Sequence, residues 1–457
     1  MKQSRALVSK QGPSLSNILT FLIPSLVGVV LFITPINFDG EMTIPVAFMA
    51  QSLKAAIGEN ITAIITAVVV ITGIMTLIAK LFEPKFIENR PFLSSLLNIN
   101  PLWTMVRLIG MAFILISYFQ VGPEAVWSGA TGGMVLNDLL PTLFAMFIFA
   151  GILLPLLMNF GLLELLGTLM TKVMRPIFNL PGRSAIDCIA SWLGDGSVGI
   201  LMTSKQYETS YYTQREAAVI GTTFSAVSIT FSLVVIAQVS LEHMFAPFYL
   251  TVCIAGIVAA IIVPKLPPLS TKKDILITGE VRDSQDEVVP EGHSSLSWGL
   301  EKALEKASSI KSPLTVLEDG CKNAIDMVFG VIPVIMGIGT IALIVSEYTP
   351  IFTYLGMPFV PLLELLQIPE AQAASTTMVV GFADMFVPSI LAASIESEMT
   401  RFVIAALSLT QLIYLSEVGA LLLGSKVPIK LWELFVIFIL RTLVTLPVIA
   451  GIAHLIF

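Results

Sequence analysis

Apolar runs of about 20 residues recur along this chain, and at a helical rise of about 1.5 Å per residue each can cross a hydrocarbon layer of about 30 Å. Of the 457 residues only 12 % are charged while 55 % are hydrophobic, and the mean hydropathy is +0.88. An ordinary soluble domain is about a quarter charged, so a single water-soluble core is excluded. Strand-type alternation over segments of about ten residues is absent, which speaks against an outer-membrane barrel. The pattern is that of an all-α, polytopic helical membrane protein. Nine spans are expected, over Asn17 to Asn37, Ile61 to Leu81, Met105 to Gln120, Val135 to Phe160, Glu216 to Val239, Phe245 to Val263, Lys322 to Val345, Thr400 to Leu423 and Leu431 to Ile456.

Polar residues narrow the function by what they lack. The net charge is −7 and no basic block suggests nucleic acid. Cys188, Cys253 and Cys321 are far apart and His243, His293 and His454 are scattered, so neither a disulfide framework nor metal-ligand spacing is present. With no P-loop, GxSxG, HExxH or kinase signature, no enzyme activity and no resident cofactor are expected, and an ATP-driven pump is disfavoured. Lys2, Arg5 and Lys10 precede an apolar run as in a signal peptide, but that run is long and lacks an A-x-A-like site, so it is assigned as the first span.

Two further apolar segments contain Gly, acids or Pro and are poorly suited to one uninterrupted helix. They are Asp187 to Lys205, DCIASWLGDGSVGILMTSK, and Ala371 to Glu396, AQAASTTMVVGFADMFVPSILAASIE. Both are expected to be re-entrant helical hairpins, with bounds at residues 184–205 and 371–397. Each follows an amphipathic stretch suited to the membrane interface, Leu162 to Phe178 and Ile351 to Leu366. The order span, interfacial helix, hairpin, span, span thus occurs twice. Matched residues keep the register: 369 − 181 for the prolines and 326 − 138 for the aspartates both give 188, while Asp195 to Asp384 gives 189 and Arg215 to Arg401 gives 186.

An internal duplication follows, with a three-span N-terminal region at 1–130, a first repeat at 131–264, a cytoplasmic linker at 265–313 and a second repeat at 314–457. Within the linker, Leu300 to Ile310 suits a short surface helix. Each repeat crosses three times, because its hairpin returns to its own side, so the second copy enters the bilayer upside down as an inverted repeat. Loop charges agree. With the N-terminus cytoplasmic, Lys85, Arg90, Lys172, Arg175, Lys205, Lys265, Lys272, Lys426 and Lys430 all fall inside, and Glu41, Glu59, Glu124, Glu347, Glu364 and Glu370 fall outside. Lys54 and Arg401 are the exceptions. A multi-pass protein of a bacterial inner membrane is expected, with its C-terminus outside.

LGDGSVGI in the first hairpin and GFADMFVPS in the second, in that order of elements, resemble the Gate or nucleoside-recognition domain from about Val135 onward. More closely, the chain resembles the YjiH family, with a second Gate unit similar to its partner YjiG fused after the linker. The same domain type occurs in concentrative nucleoside transporters, ferrous-iron permeases and spore-maturation membrane proteins. The resemblance implies a membrane fold of hairpin-containing repeats and leaves the cargo open.

A hairpin that stops within the membrane exposes backbone ends that ligand, ion or water can satisfy in a cavity. The tips therefore supply the candidate solute or ion site: Asp195, Gly196 and Ser197 in the first, and Asp384, with Gly381 and Ser389, in the second. Asp beside a half-helix N-terminus is also a common cap. Downstream, Thr222, Ser225 and Ser228 match Ser408, Gln411 and Tyr414 at a shift of 186, a polar stripe that could line a path or simply pack helices. Glu417 lies nine residues before Lys426 and Arg441 eleven after Lys430, hence at similar depth. They are expected to form a structural ion pair, the alternative being that Glu417 exchanges a proton.

The function expected is secondary transport of a small polar solute of the nucleoside, amino-acid or short-peptide class, with Na⁺ or H⁺ as the candidate coupling ion. The alternative is a non-transporting membrane assembly or scaffold protein like the spore-maturation proteins. Partners are the lipid bilayer and the solute, and a homo-oligomer is allowed.

Overall fold

The computed structural model describes residues 15–32, 34, 36–38, 41–193, 196–224, 229–282, 289–290, 292–310 and 312–457. Among the described residues the regular structure is helical apart from a small antiparallel pair, Ile36–Phe38 with Glu41–Thr43, and one isolated bridge between Ile275 and Val281. Among the described residues seven helices are long and apolar enough to cross a membrane: Leu15–Phe32, Asn60–Phe82, Pro101–Phe119, Glu124–Met158, Glu242–Lys265, Pro313–Tyr348 and Leu431–Ile456. The other two expected spans, Glu216 to Val239 and Thr400 to Leu423, are not continuous helices. A further helix, Pro45–Ile57, follows the small strand pair and was not expected from hydropathy.

Burial separates central from peripheral helices. In Pro313–Tyr348 and Glu124–Met158, 72 % and 61 % of the apolar window is buried inside the protein, against 22 % in Leu15–Phe32 and 28 % in Pro101–Phe119. The central pair packs through small residues, since a Cβ on Gly151 would lie 2.5 Å from the Ala324 backbone and one on Gly320 would lie 2.5 Å from the Ile152 carbonyl. Where lipid tails are as apolar as leucine, close backbone approach of this kind replaces the hydrophobic drive that assembles soluble helices. Each central helix contains an internal π-helical segment, Val135–Leu139 in one and Asp326–Val331 in the other, followed at once by Pro141 and Pro333 in the first turn of the α-helix that continues it. The matched acids Asp138 and Asp326 sit in these wider turns, a conformation frequent at functional sites.

The amphipathic stretches fold as expected, one as Leu162–Phe178 and the other as a broken run through Ile351–Gly356 and Val360–Leu365. The linker contributes the helix Ser295–Ser308, longer than expected from sequence, which lies on Leu162–Phe178 with Gly161 against Ala303 and Gly299 against Leu165. The hairpin segments fold as Ser184–Leu193 with Gly196–Glu208, and as Ala371–Ser375 and Thr377–Val380 with Val387–Ala392. The arms of the first touch at Gly199, where a Cβ would come within 2.7 Å of the Ser191 side chain. The N-terminal spans wrap the central pair. Leu15–Phe32 and Pro45–Ile57 lie on Leu140–Met158, while Pro101–Phe119 lies on Ile332–Tyr348 with Gly110 against the Pro333 carbonyl and Gly337 against that of Val106.

That last contact predicts a local cost. Gly110→Val should destabilise the folded protein by about 1–3 kcal/mol, the usual range for overpacking a tight core. Thermal unfolding in detergent micelles measures it, and an unchanged midpoint would show that the helices do not approach this closely.

Candidate functional site

Two of the expected spans each appear as two shorter helices among the described residues. The first comprises Gln214–Thr223 and Ile229–Gln238, and the second Glu398–Gln411, which stops and resumes as Val418–Gly424. In the second break Leu412 adopts φ 61°, a left-handed conformation rare for a residue with a branched side chain. The polar run from Gln411 through Tyr414, Ser416 and Glu417 explains why the sequence tolerates an interruption there, because these side chains hydrogen-bond locally and to neighbours in place of the helix ladder.

A helix ending inside the protein leaves its last carbonyls without intrahelical partners. Arg441, fully buried on the helix Leu431–Ile456, meets both ends. Its Nε and Nη2 donate to the Thr410 carbonyl at 2.8 and 2.7 Å, and its Nη1 donates to the Thr222 and Thr223 carbonyls at 3.5 and 3.4 Å. One guanidinium thus holds the C-terminal, negative ends of two half-helices from different repeats, where a cation is favoured by the helix dipoles. Beside it lies a cavity of about 60 Å³ bounded by Thr223, Phe224, Tyr249, Cys253, Thr410 and Leu412.

The turn of the second hairpin docks into the second break. Phe382 and Ala383 accept backbone hydrogen bonds from Leu415 and Ser416 at 2.8 and 2.9 Å. Asp384, largely buried, accepts from the Phe386 N–H at 2.8 Å and from the Ser416 hydroxyl at 2.6 Å, so its carboxylate joins hairpin turn to helix break. Gln411 donates from Nε2 to the Met378 carbonyl and to the Thr442 hydroxyl, both at 2.8 Å. Its Oε1 has no hydrogen-bond partner among the described residues and lies over Gly381, where a Cβ would stand 2.5 Å away.

Other expected site residues fall differently. Asp195, Ser225 and Ser228 lie outside the described residues. Gly196 and Ser197 begin the second arm of the first hairpin, Ser197 buried. Thr222 and Ser408 donate back into their own helices, to the Ala218 carbonyl at 2.7 Å and the Ala405 carbonyl at 2.9 Å, whereas Gln411 reaches the second hairpin. Glu417 accepts from the Tyr414 hydroxyl at 3.1 Å. Among the described residues the expected Glu417–Arg441 ion pair is not formed, and the hydrogen bonds of Arg441 go to carbonyls. Equal depth did not imply a shared face, and the interrupted helices offered the guanidinium acceptors that a continuous helix would have withheld.

Asp187 was missed. It is buried within the first hairpin and accepts from Gln206 Nε2 at 2.6 Å, the Tyr212 hydroxyl at 2.9 Å and the Thr203 hydroxyl at 3.0 Å. A signal existed, since Asp187 and Thr203 are equidistant from Asp195, 195 − 187 = 8 and 203 − 195 = 8, as partners on facing arms should be.

Buried broken helices among long apolar ones define a helical membrane protein containing a Gate domain: the family model described as nucleoside recognition matches residues 140–242, the greater part of the first repeat. The chain belongs to the family of the uncharacterized protein BpOF4_10220 of Alkalihalophilus pseudofirmus, to which it is 51 % identical over 97 % of its own length and 95 % of that protein's. A solved structure of a doubly substituted CNTnw in an outward-facing state is similar over 96 % of this chain and 98 % of that one, at 14 % identity and a TM-score of 0.35.

Arg441→Met should destabilise the protein by at least about 3 kcal/mol, because three buried carbonyls lose a charged donor. Arg441→Lys should recover part of the loss. Denaturant titration in micelles reads both. Gly381→Ala should displace the Gln411 amide at a cost of about 1–3 kcal/mol, and Gln411→Ala combined with it should remove most of that penalty, as a double-mutant cycle would show.

Proposed function

We propose that the protein is a secondary transporter of a small polar solute, built from two inverted repeats whose hairpins are re-entrant and whose broken helices meet near the membrane midplane. Irregular backbone at membrane depth is tolerated only inside protein or along a cavity, and paired discontinuous helices mark the solute site in inverted-repeat transporters. The observation that carries this reading is reciprocity. The second arm of the first hairpin packs on the half-helix Val418–Gly424, and the second arm of the second hairpin packs on the half-helix Ile229–Gln238, with Phe231 edge-on to Phe386 at 6.0 Å. Each hairpin thereby supports the broken helix of the opposite copy.

In this reading Asp384, Ser416 and Gln411 form the polar face at the second tip, with Asp195, Gly196 and Ser197 opposite and Glu417 nearby as the proton- or Na⁺-linked candidate. The Gate family's description supplies nucleosides as the first solute class to try, followed by amino acids and short peptides. The orientation has the N-terminus cytoplasmic and the C-terminus outside, in a bacterial inner membrane. One observation favours the alternative of a non-transporting assembly protein: the cavity beside Arg441, about 60 Å³, has room for water but not for a nucleoside.

Uptake by proteoliposomes separates the two. A labelled solute first chosen by thermal-shift screening should accumulate with wild-type protein, and the rate should fall at least tenfold in Asp384→Asn while protein abundance and melting midpoint stay within normal range. Wild-type rates in that variant would remove the site. Absence of flux for every stabilising solute would favour the assembly reading.

A further inference from the structure

A second cavity, of about 450 Å³, lies where the N-terminal region, the first hairpin and the second repeat meet, and neither Asp384 nor Gln411 lines it. Ligand pockets commonly occupy about 300–1,000 Å³. The walls come from Ser95 to Arg107, from the end of the hairpin arm Gly196–Glu208, from the π-helical segment Asp326–Val331 and from the half-helix Val418–Gly424 with Lys426 beyond it.

Five charged side chains line this space: Arg107, Lys205, Lys426, Glu208 and Asp326. Lys205 Nζ lies 2.9 Å from Glu208 and 2.9 Å from Asp326, closing an ionic group across the boundary between repeats. Arg107 is 5 % exposed. Its Nη1 donates to the Leu96 carbonyl at 2.7 Å and the Thr76 hydroxyl at 3.3 Å, and its Nη2 to the Gly330 carbonyl at 3.2 Å. Its Nε has no hydrogen-bond partner among the described residues. Lys426 is exposed, and no described residue pairs with it. Three cations against two carboxylates, 3 − 2, leave one positive charge in excess. A buried guanidinium with an unused N–H and a nearby unpaired ammonium are the donors a carboxylate takes in charge-assisted hydrogen bonds.

We propose that this cavity binds a small solute carrying one carboxylate, held by Arg107 Nε and Lys426, with Glu208 and Asp326 turning away dianions such as phosphate esters. An ammonium on the same solute would face those two acids, so amino acids fall within the class. The N-terminal region then has a direct part in recognition, because it supplies Arg107. The proposal rests on the transporter reading for the fate of the solute, not for its binding, which is measured without flux.

The experiment is thermal shift and calorimetry on the full-length protein in detergent with propionate, lactate and alanine, against propionamide, lactamide and inorganic phosphate. At least one carboxylate should raise the midpoint while its amide and phosphate do not. Affinity should fall at least tenfold in Lys426→Gln, return in Lys426→Arg, and stay within twofold in Lys322→Gln, a charge-matched change at a half-buried lysine outside the cavity. Equal shifts with acid and amide, no shift with any of the three carboxylates, or wild-type affinity in Lys426→Gln would each overturn the proposal. Carboxylate binding with no proteoliposome uptake would leave the site standing and remove the transporter reading instead.

Discussion

Arg441 and the two helix ends it bridges set the terms for the centre of this protein. A guanidinium far from water is costly, and so are the carbonyls left bare where a helix stops. Neither cost is bearable alone in a hydrocarbon setting. Together they cancel, because the planar donor fork reaches Thr410 with two N–H groups and the Thr222–Thr223 pair with a third. The broken helices therefore require the arginine as much as the arginine requires them. It arises from the last helix of the second copy and ties that helix to both repeats.

Two backbone N–H groups of the second break are met by the hairpin turn. Leu415 and Ser416 donate to Phe382 and Ala383, and Asp384 accepts from the Ser416 hydroxyl, so two irregular segments satisfy each other where neither has a regular partner of its own. The copies differ in how they do this. Among the described residues the first hairpin carries a buried acid at Asp187, where three donors from its own second arm and the following loop surround the carboxylate. The equivalent region of the second hairpin has Ser375 and Thr376, whose hydroxyls bond local carbonyls. The two hairpin segments share the plan of two helical arms and differ in the polar groups they bury.

Hydropathy made the long helices legible because an apolar run of sufficient length has few other outcomes in a membrane. The amphipathic helix Leu162–Phe178 and the terminal helix Leu431–Ile456 end where the pattern said. The interruptions in Glu216 to Val239 and Thr400 to Leu423 were not legible, because averaging over a window of apolar residues is blind to a few polar ones that redirect the backbone. The same blindness misassigned Arg441. Depth along a helix can be counted from sequence, but its neighbours on other helices cannot, and backbone acceptors created by a break carry no side-chain signature. Asp187 was within reach of sequence reasoning, had reflection of the arms about Asp195 been applied.

The tight seam between Pro101–Phe119 and Ile332–Tyr348, with Gly110 seated on the Pro333 carbonyl and Gly337 on that of Val106, leaves no slack for sliding. These two helices must travel as one body. A change of shape that kept this seam intact would have to leave Pro101–Phe119 and Ile332–Tyr348 in register and take place in other parts of the chain.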